Sequence, residues 1–159
     1  KDAQEIDKSR PFTVASMVGI EENGFRVLDL ICLDLYPAWE SSPGQIKEGM
    51  AEFSTALDNI HEKFQKPVIM TEFAAEAIPG HHALPSEMWS EEYQAEVIAA
   101  AIQVLRSKPY VIGQMTGPLA DFKTPQSADT PMGMCYRGVF TRDRRPKLAA
   151  HSLRTLWRR

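Results

Sequence analysis

Two hydrophobic periods alternate along this chain, and that alternation limits the fold more than any single motif. From Gly44 to Gln65 the apolar residues Ile46, Met50, Phe53, Leu57, Ile60 and Phe64 recur at steps of four and three, the stripe of an amphipathic helix. Lys66-Pro67 closes the stripe, because proline disfavours helical backbone at the residue before it. The next segment, "PVIMTEF", has the opposite character. Val68, Ile69 and Met70 are apolar without relief, as in a strand covered on both faces. A second stripe (Tyr93, Val97, Ala101, Val104) starts behind Ser90 and runs to about Ser107. Pro109 precedes another apolar run, "YVIGQMT", and Pro146 opens a last helix whose inward face is Ala149, Leu153 and Leu156. Upstream, "RPFTVASMV" and "RVLDLICLDLY" read as two more strands, and "KDAQEIDKSRP" as the tail of a helix running into the first.

The order is therefore strand, strand, helix, strand, helix, strand, helix, which predicts a parallel α/β fold. No fixed-period repeat, low-complexity tract or interdomain linker interrupts it, so residues 1–159 read as one unit. Four strands cannot close an eight-stranded barrel. They form either an open sheet or one half of something larger. In a (β/α)₈ barrel the chemistry collects at the carboxyl ends of the strands. Here those ends carry Asp34 and Tyr36, then Glu72, then Gln114 and Thr116. A lone acid at a strand end is by default a surface residue. Glu72 rises above that default only with support from its neighbours.

Composition excludes several classes. A net charge of -3 gives no general attraction to nucleic acid or anionic membrane. The basic cluster of Arg142, Arg144, Arg145, Lys147, Arg154, Arg158 and Arg159 reads as a solvated face. No apolar stretch approaches the ~18 residues of a membrane span, so a soluble protein is expected, with the cytoplasm slightly favoured. Cys32 and Cys135 fit no metal spacing, and Cys32, inside an apolar run, is expected to be a buried thiol. His81 and His82 point apart in an extended segment and lack a third ligand at useful spacing. No metal or other cofactor is expected.

Five stretches in fixed order carry a more specific signal: "DLICLDLYPAWE", "KPVIMTEF", "MWSEEYQAEV", "ADFKTPQS" and "GVFTRDRRPKLAAHSLRTLW". Together they closely resemble the C-terminal half of the catalytic barrel of the β-glucuronidase-like enzymes of glycoside hydrolase family 2. The resemblance implies strands five to eight of a (β/α)₈ TIM barrel and a retaining β-glycosidase acting on a carbohydrate substrate. It places Glu72 at the catalytic nucleophile. Tyr36 falls on a strand-six tyrosine that contacts nucleophile and sugar. Asp34, which replaces an asparagine, and Trp39 fall among substrate-binding positions; Trp39 either stacks on a sugar or pins its loop to the core. Retaining hydrolysis needs a second carboxyl group. The family's acid/base glutamate follows an asparagine on strand four, and no Asn-Glu pair occurs in this chain. The missing group is expected on an N-terminal half. The isolated chain is expected to be inactive, and to pair with that half or with itself.

The chain also departs from the family pattern. W-N-F-A-D-F around strand eight becomes "GPLADF", which puts Gly117 at the tryptophan position. The N-x-K motif that binds a sugar carboxylate becomes Cys135-Tyr136-Arg137, so only the cation of Arg137 survives. Arg137 is expected to bind a substrate carboxylate if it points inward. The preferred expectation is an outward Arg137 and a broad or non-glucuronide β-glycosidase, comparable with β-galactosidases. The competing expectation is a non-catalytic, degenerate or excised barrel fragment that only binds sugar or supports structure.

Overall fold

The computed structural model describes residues 2–127 and 130–158; Lys1, Ala128, Asp129 and Arg159 lie outside the described residues. In chain order the elements are α1 (Asp2–Ile6), β1 (Ala15–Ser16), β2 (Ile31–Asp34), α2 (Ile46–Phe64) and β3 (Val68–Glu72). There follow α3 (Glu91–Arg106), β4 (Val111–Gln114), β5 (Phe122–Lys123), β6 (Met134–Cys135) and α4 (Leu148–Leu156). Strands β1 to β4 form one sheet in that order, and every pairing is parallel. The α/β expectation is met. β5 and β6 make a separate antiparallel pair beyond β4.

The two long helices form where the periodicity placed them. Met50, Phe53, Leu57, Ile60 and Phe64 of α2 are buried, as are Tyr93, Val97, Ala101 and Leu105 of α3. Both faces pack into one core with Ile31, Leu33, Val68 and Met70 of the sheet. Ser90 caps α3 by accepting a hydrogen bond from the Tyr93 N–H at 3.1 Å. At the other end of α2, Gln65 adopts a left-handed conformation (φ 53°) and Pro67 prevents continuation.

Three expectations change. Residues 26–36 do not form one long strand. Asn23–Arg26 coil into a 3₁₀ turn, and the ladder begins only at Ile31. The reason is local satisfaction of the backbone. Lys66 Nζ donates to the carbonyls of Phe25 (2.7 Å), Arg26 (2.9 Å) and Leu28, leaving no call for strand partners there. The strand over residues 10–18 likewise shrinks to Ala15–Ser16. Second, β3 is not covered on both faces within this chain. Val68 and Met70 are fully buried, whereas Ile69 and Thr71, which alternate with them, are only partly covered. Third, Lys147 does not belong to a solvated basic face. Arg142, Arg144, Arg145, Arg154 and Arg158 are exposed, but Lys147 is 1% exposed.

Lys147 is buried because three acceptors converge on it. Its Nζ donates to the carbonyls of Ala77 (3.0 Å) and Tyr136 (2.8 Å) and to Asp121 Oδ1 (3.0 Å). Burial pushes the Lys147 ammonium down and the Asp121 carboxyl up, each opposed by the other's charge. One cation thereby ties together the segment after β3, the segment after β4 and the residue that follows β6. Glu91, at the start of α3, joins the same region by accepting from the N–H groups of Gly80 (2.8 Å) and Leu148 (2.6 Å). Among the described residues no helix is long and apolar enough to cross a membrane.

Candidate active site

Parallel pairing sets the carboxyl ends of adjacent strands side by side. Asp34, the last residue of β2, is the register partner of Glu72, the last residue of β3. A register shift between Leu33 and Asp34 turns the end of β2. Beyond it, Tyr36 reaches across so that its hydroxyl donates to Glu72 Oε2. Thr71 donates to Asp34 Oδ1 at 2.6 Å and to the Leu33 carbonyl at 3.1 Å, which holds the second carboxylate aside from the first. Burial, and then the Glu72 carboxylate, raise the Tyr36 phenol above its ordinary value, so the proton stays on the tyrosine as a donor.

Gly117 closes another side. A Cβ added there would lie 2.6 Å from Glu72 Cγ and 2.7 Å from Cδ. No side chain fits at position 117 while the carboxylate keeps its place. The small residue is therefore more than the loss of a wall; the chain after β4 packs directly on Glu72.

Arg137 does not point outward. Its Cζ lies 4.0 Å from the centroid of the Tyr36 ring, and Nη2 donates to Glu40 Oε1 at 2.9 Å. Its Nε lies 3.5 Å from Glu76 Oε1, an ion-pair separation without a hydrogen bond. The other oxygen of Glu76 accepts the Tyr136 N–H at 2.8 Å, and burial raises this carboxyl above its ordinary value. Trp39 packs edge-on against Trp89, with centroids 4.9 Å apart, and tilts over Tyr93 at 6.5 Å. Those contacts match the loop-pinning reading of Trp39. Beside the cluster, a cavity of about 380 Å³ opens between the end of β2 and α2, lined by Met17, Asp34, Tyr36, Glu40, Glu52 and Phe53 among others.

The sequence alone assigned no role to Thr71, Gln94, Glu40 or Glu76, and it put Lys147 on a solvated face. Gln94 is fully buried in the middle of an apolar helix face, and its Nε2 donates to the Ala75 carbonyl at 2.9 Å. The signal for it was a polar residue beside the Tyr93 stripe position. The loop histidines are engaged at the surface: His82 Nδ1 lies 2.7 Å from Glu92 Oε1, and His81 Nε2 lies 3.6 Å from Glu87. The hydrogen bond to Glu92 raises the His82 pKa above its ordinary 6.5. The folded-state value is the higher one, so the pairing is complete below the ordinary value and is lost as pH rises through the raised one. A proton NMR titration should show this, with Glu92→Gln returning His82 to the ordinary value. A His82 midpoint unmoved by that substitution would refute the pairing.

Comparison with known proteins now adds to this geometry. The family model for glycosyl hydrolases family 2, TIM barrel domain, matches residues 1–159. This chain belongs to that family. It is 37% identical over 152 residues to a β-glucuronidase of Sus scrofa, covering 94% of this chain and 23% of that protein. It is 36% identical over 156 residues to one of Paenibacillus borealis, covering 98% and 26%. Among solved structures it is similar to the β-D-glucuronidase of Dictyoglomus thermophilum, with TM-score 0.94, 34% identity and coverage of 99% of this chain and 27% of that one. A β-glucuronidase from Ruminococcus gnavus in complex with D-glucuronic acid matches with TM-score 0.90, 36% identity, and coverage of 98% and 27%. The family 2 chain thus spans about a quarter of the length of these relatives.

Proposed function

We propose that this chain supplies strands five to eight of a family 2 TIM barrel, and that Glu72 is the nucleophile of retaining β-glycoside hydrolysis. One observation supports the reading: the Tyr36 hydroxyl donates a hydrogen bond to Glu72 across the carboxyl ends of two adjacent parallel strands. In the first step a Glu72 oxygen bonds to the anomeric carbon as the bond to the leaving oxygen breaks. A second carboxyl group gives that oxygen its proton. Water then loses a proton to the same group and displaces Glu72 from the sugar. The second carboxyl must sit ~5–5.5 Å from the first, and it comes from the N-terminal half of the barrel. Tyr36 orients the nucleophile in this scheme. Asp34, whose Oδ1 is held by Thr71, keeps Oδ2 for a sugar hydroxyl. The substrate is a β-glycoside, and Trp39 shapes the wall of its site.

The test uses the full-length protein. Glu72→Ala should lose turnover of an activated aryl β-glycoside, and added azide should restore part of it as the α-glycosyl azide. A small anion fills the space left by the carboxylate and attacks from the same face. Failure of azide and formate to rescue any activity, or a β-configured azide product, would sink the assignment. Gly117→Ala offers a geometric check. Its Cβ must push the Glu72 carboxylate off the Tyr36 hydroxyl. A displacement near 1 Å costs roughly 100-fold in rate, with little change in thermal midpoint. Unchanged kcat in Gly117→Ala would contradict this packing.

The half-barrel reading has its own consequence. β1 and β4 are open edges, and Val14, Met17, Ile112, Met115 and Leu119 are each at least half exposed. The isolated chain should therefore associate with its N-terminal half, or with itself. Light scattering behind size exclusion would decide. A stable monomer at micromolar concentration counts against the reading.

A further inference from the structure

We propose that Arg137 is a positioning residue for Glu72 that acts through Tyr36, and that it does not bind the substrate. The inference rests on the assignment of Glu72 as nucleophile. Three contacts occupy the guanidinium: the Tyr36 ring face, Glu40 at 2.9 Å and Glu76 at 3.5 Å. Two carboxylates attend this one cation, so no surplus positive charge faces an anionic substrate. A sugar carboxylate would have to displace Glu40 and give up nothing in return. The contact with Tyr36 has a different use. A cation over an aromatic face draws on the ring's electron density. A phenol so polarised donates a stronger hydrogen bond, and the acceptor of that bond is Glu72. The contact at 4.0 Å also restrains the ring, and with it the direction of the hydroxyl.

The backbone under Arg137 is equally constrained. Gln94 Nε2 lies 3.3 Å from the Arg137 carbonyl and 3.2 Å from that of Gly138. Tyr136, the preceding residue, is held at its N–H by Glu76 and at its carbonyl by Lys147. The guanidinium thus rests on a fixed platform that includes the segment after β3 and the N-terminal turn of α3. The contacts run from Glu72 outward through Tyr36 to Arg137, and from there to Glu40 and Glu76.

A double-mutant cycle in the full-length enzyme tests this, read on whichever of p-nitrophenyl β-glucuronide and p-nitrophenyl β-galactoside it turns over faster and then on the other. Arg137→Gln should lower kcat about 3- to 30-fold, the range of a cation–π contact, on both substrates alike. KM should stay within roughly twofold. In a Tyr36→Phe background the same change should have no further effect on kcat, because the hydroxyl it acts through is gone. Arg137→Lys, which retains the charge without the guanidinium, should fall between wild type and Arg137→Gln. If Arg137→Gln fails to fold, the cycle of Tyr36→Phe with Arg137→Lys reads the same coupling. A loss confined to the glucuronide and expressed as raised KM would overturn the proposal, and so would full additivity of the two substitutions. Failure of the underlying assignment looks different: Glu72→Gln would then keep wild-type kcat whatever the cycle shows.

Discussion

In the complete enzyme, Glu72→Gln should lower kcat by at least ~10⁴-fold, the scale seen when a covalent nucleophile is removed, while the fold persists. Glutamine occupies the same volume, and its amide oxygen still accepts the Tyr36 hydroxyl. What it lacks is the charge that attacks the anomeric carbon. Four decades correspond to roughly 5.5 kcal/mol of barrier, far more than the ~1–1.5 kcal/mol of a neutral hydrogen bond. Loss of a contact alone therefore cannot imitate the effect. The thermal midpoint should move little, because Glu72 is only partly buried and its bond from the Tyr36 hydroxyl survives the exchange. Residual activity within tenfold of wild type would exclude Glu72 as nucleophile.

The second large effect is on stability. Lys147→Met in the complete enzyme should cost about 3–5 kcal/mol, because removing one member of a buried ion pair strands the other. Asp121 is 3% exposed and would be left without its cation, and the carbonyls of Ala77 and Tyr136 would each lose a donor. Replacing both charges, as Lys147→Met with Asp121→Leu, should recover part of the loss. The stranded charge disappears, while the Ala77 carbonyl still lacks its donor at roughly 1 kcal/mol; the Tyr136 carbonyl keeps the Ala77 N–H at 3.1 Å. A urea or thermal midpoint series over the single and double variants reads the difference. A Lys147→Met protein as stable as wild type would show that the ammonium is not the tie between these segments. A double variant no better than the single would place the cost in the carbonyl bonds alone.

Much of the fold was legible because α2 and α3 are long enough to display their period several times over. Ser90, Pro67 and Pro109 then marked where each helix had to begin or end. The strands were less legible. The apolar run from Val27 to Leu35 looks like one strand, yet its first half answers to Lys66, a residue some forty positions away. Asp29 likewise turns its carboxylate on the Phe12 N–H at 2.7 Å, a tertiary contact that an apolar pattern does not record. At the site, Glu72, Tyr36 and Asp34 could be placed because strand ends concentrate polar groups and because the flanking motifs resemble a known family. The surroundings of those residues could not. By sequence, Arg137 reads as a cation pointing outward and Lys147 as a member of the solvated basic cluster. Arg137 instead lies over Tyr36, and Lys147 is sealed in by acceptors from three other segments. Position 117 shows the same limit: a missing tryptophan reads as an emptied wall, whereas the backbone itself lies against Glu72.

The most direct test of the account is to trap the covalent intermediate. A 2-deoxy-2-fluoro β-glycoside with a good leaving group slows the second step more than the first, so a glycosyl-enzyme accumulates. The full-length protein, incubated with fluorinated β-galactosyl and β-glucuronyl fluorides in parallel, would be digested with pepsin and mapped by mass spectrometry. The account predicts one sugar per chain, attached to Glu72 in the peptide that contains Pro67 to Phe73. A label on another carboxylate, or full inactivation with no covalent sugar, would contradict it.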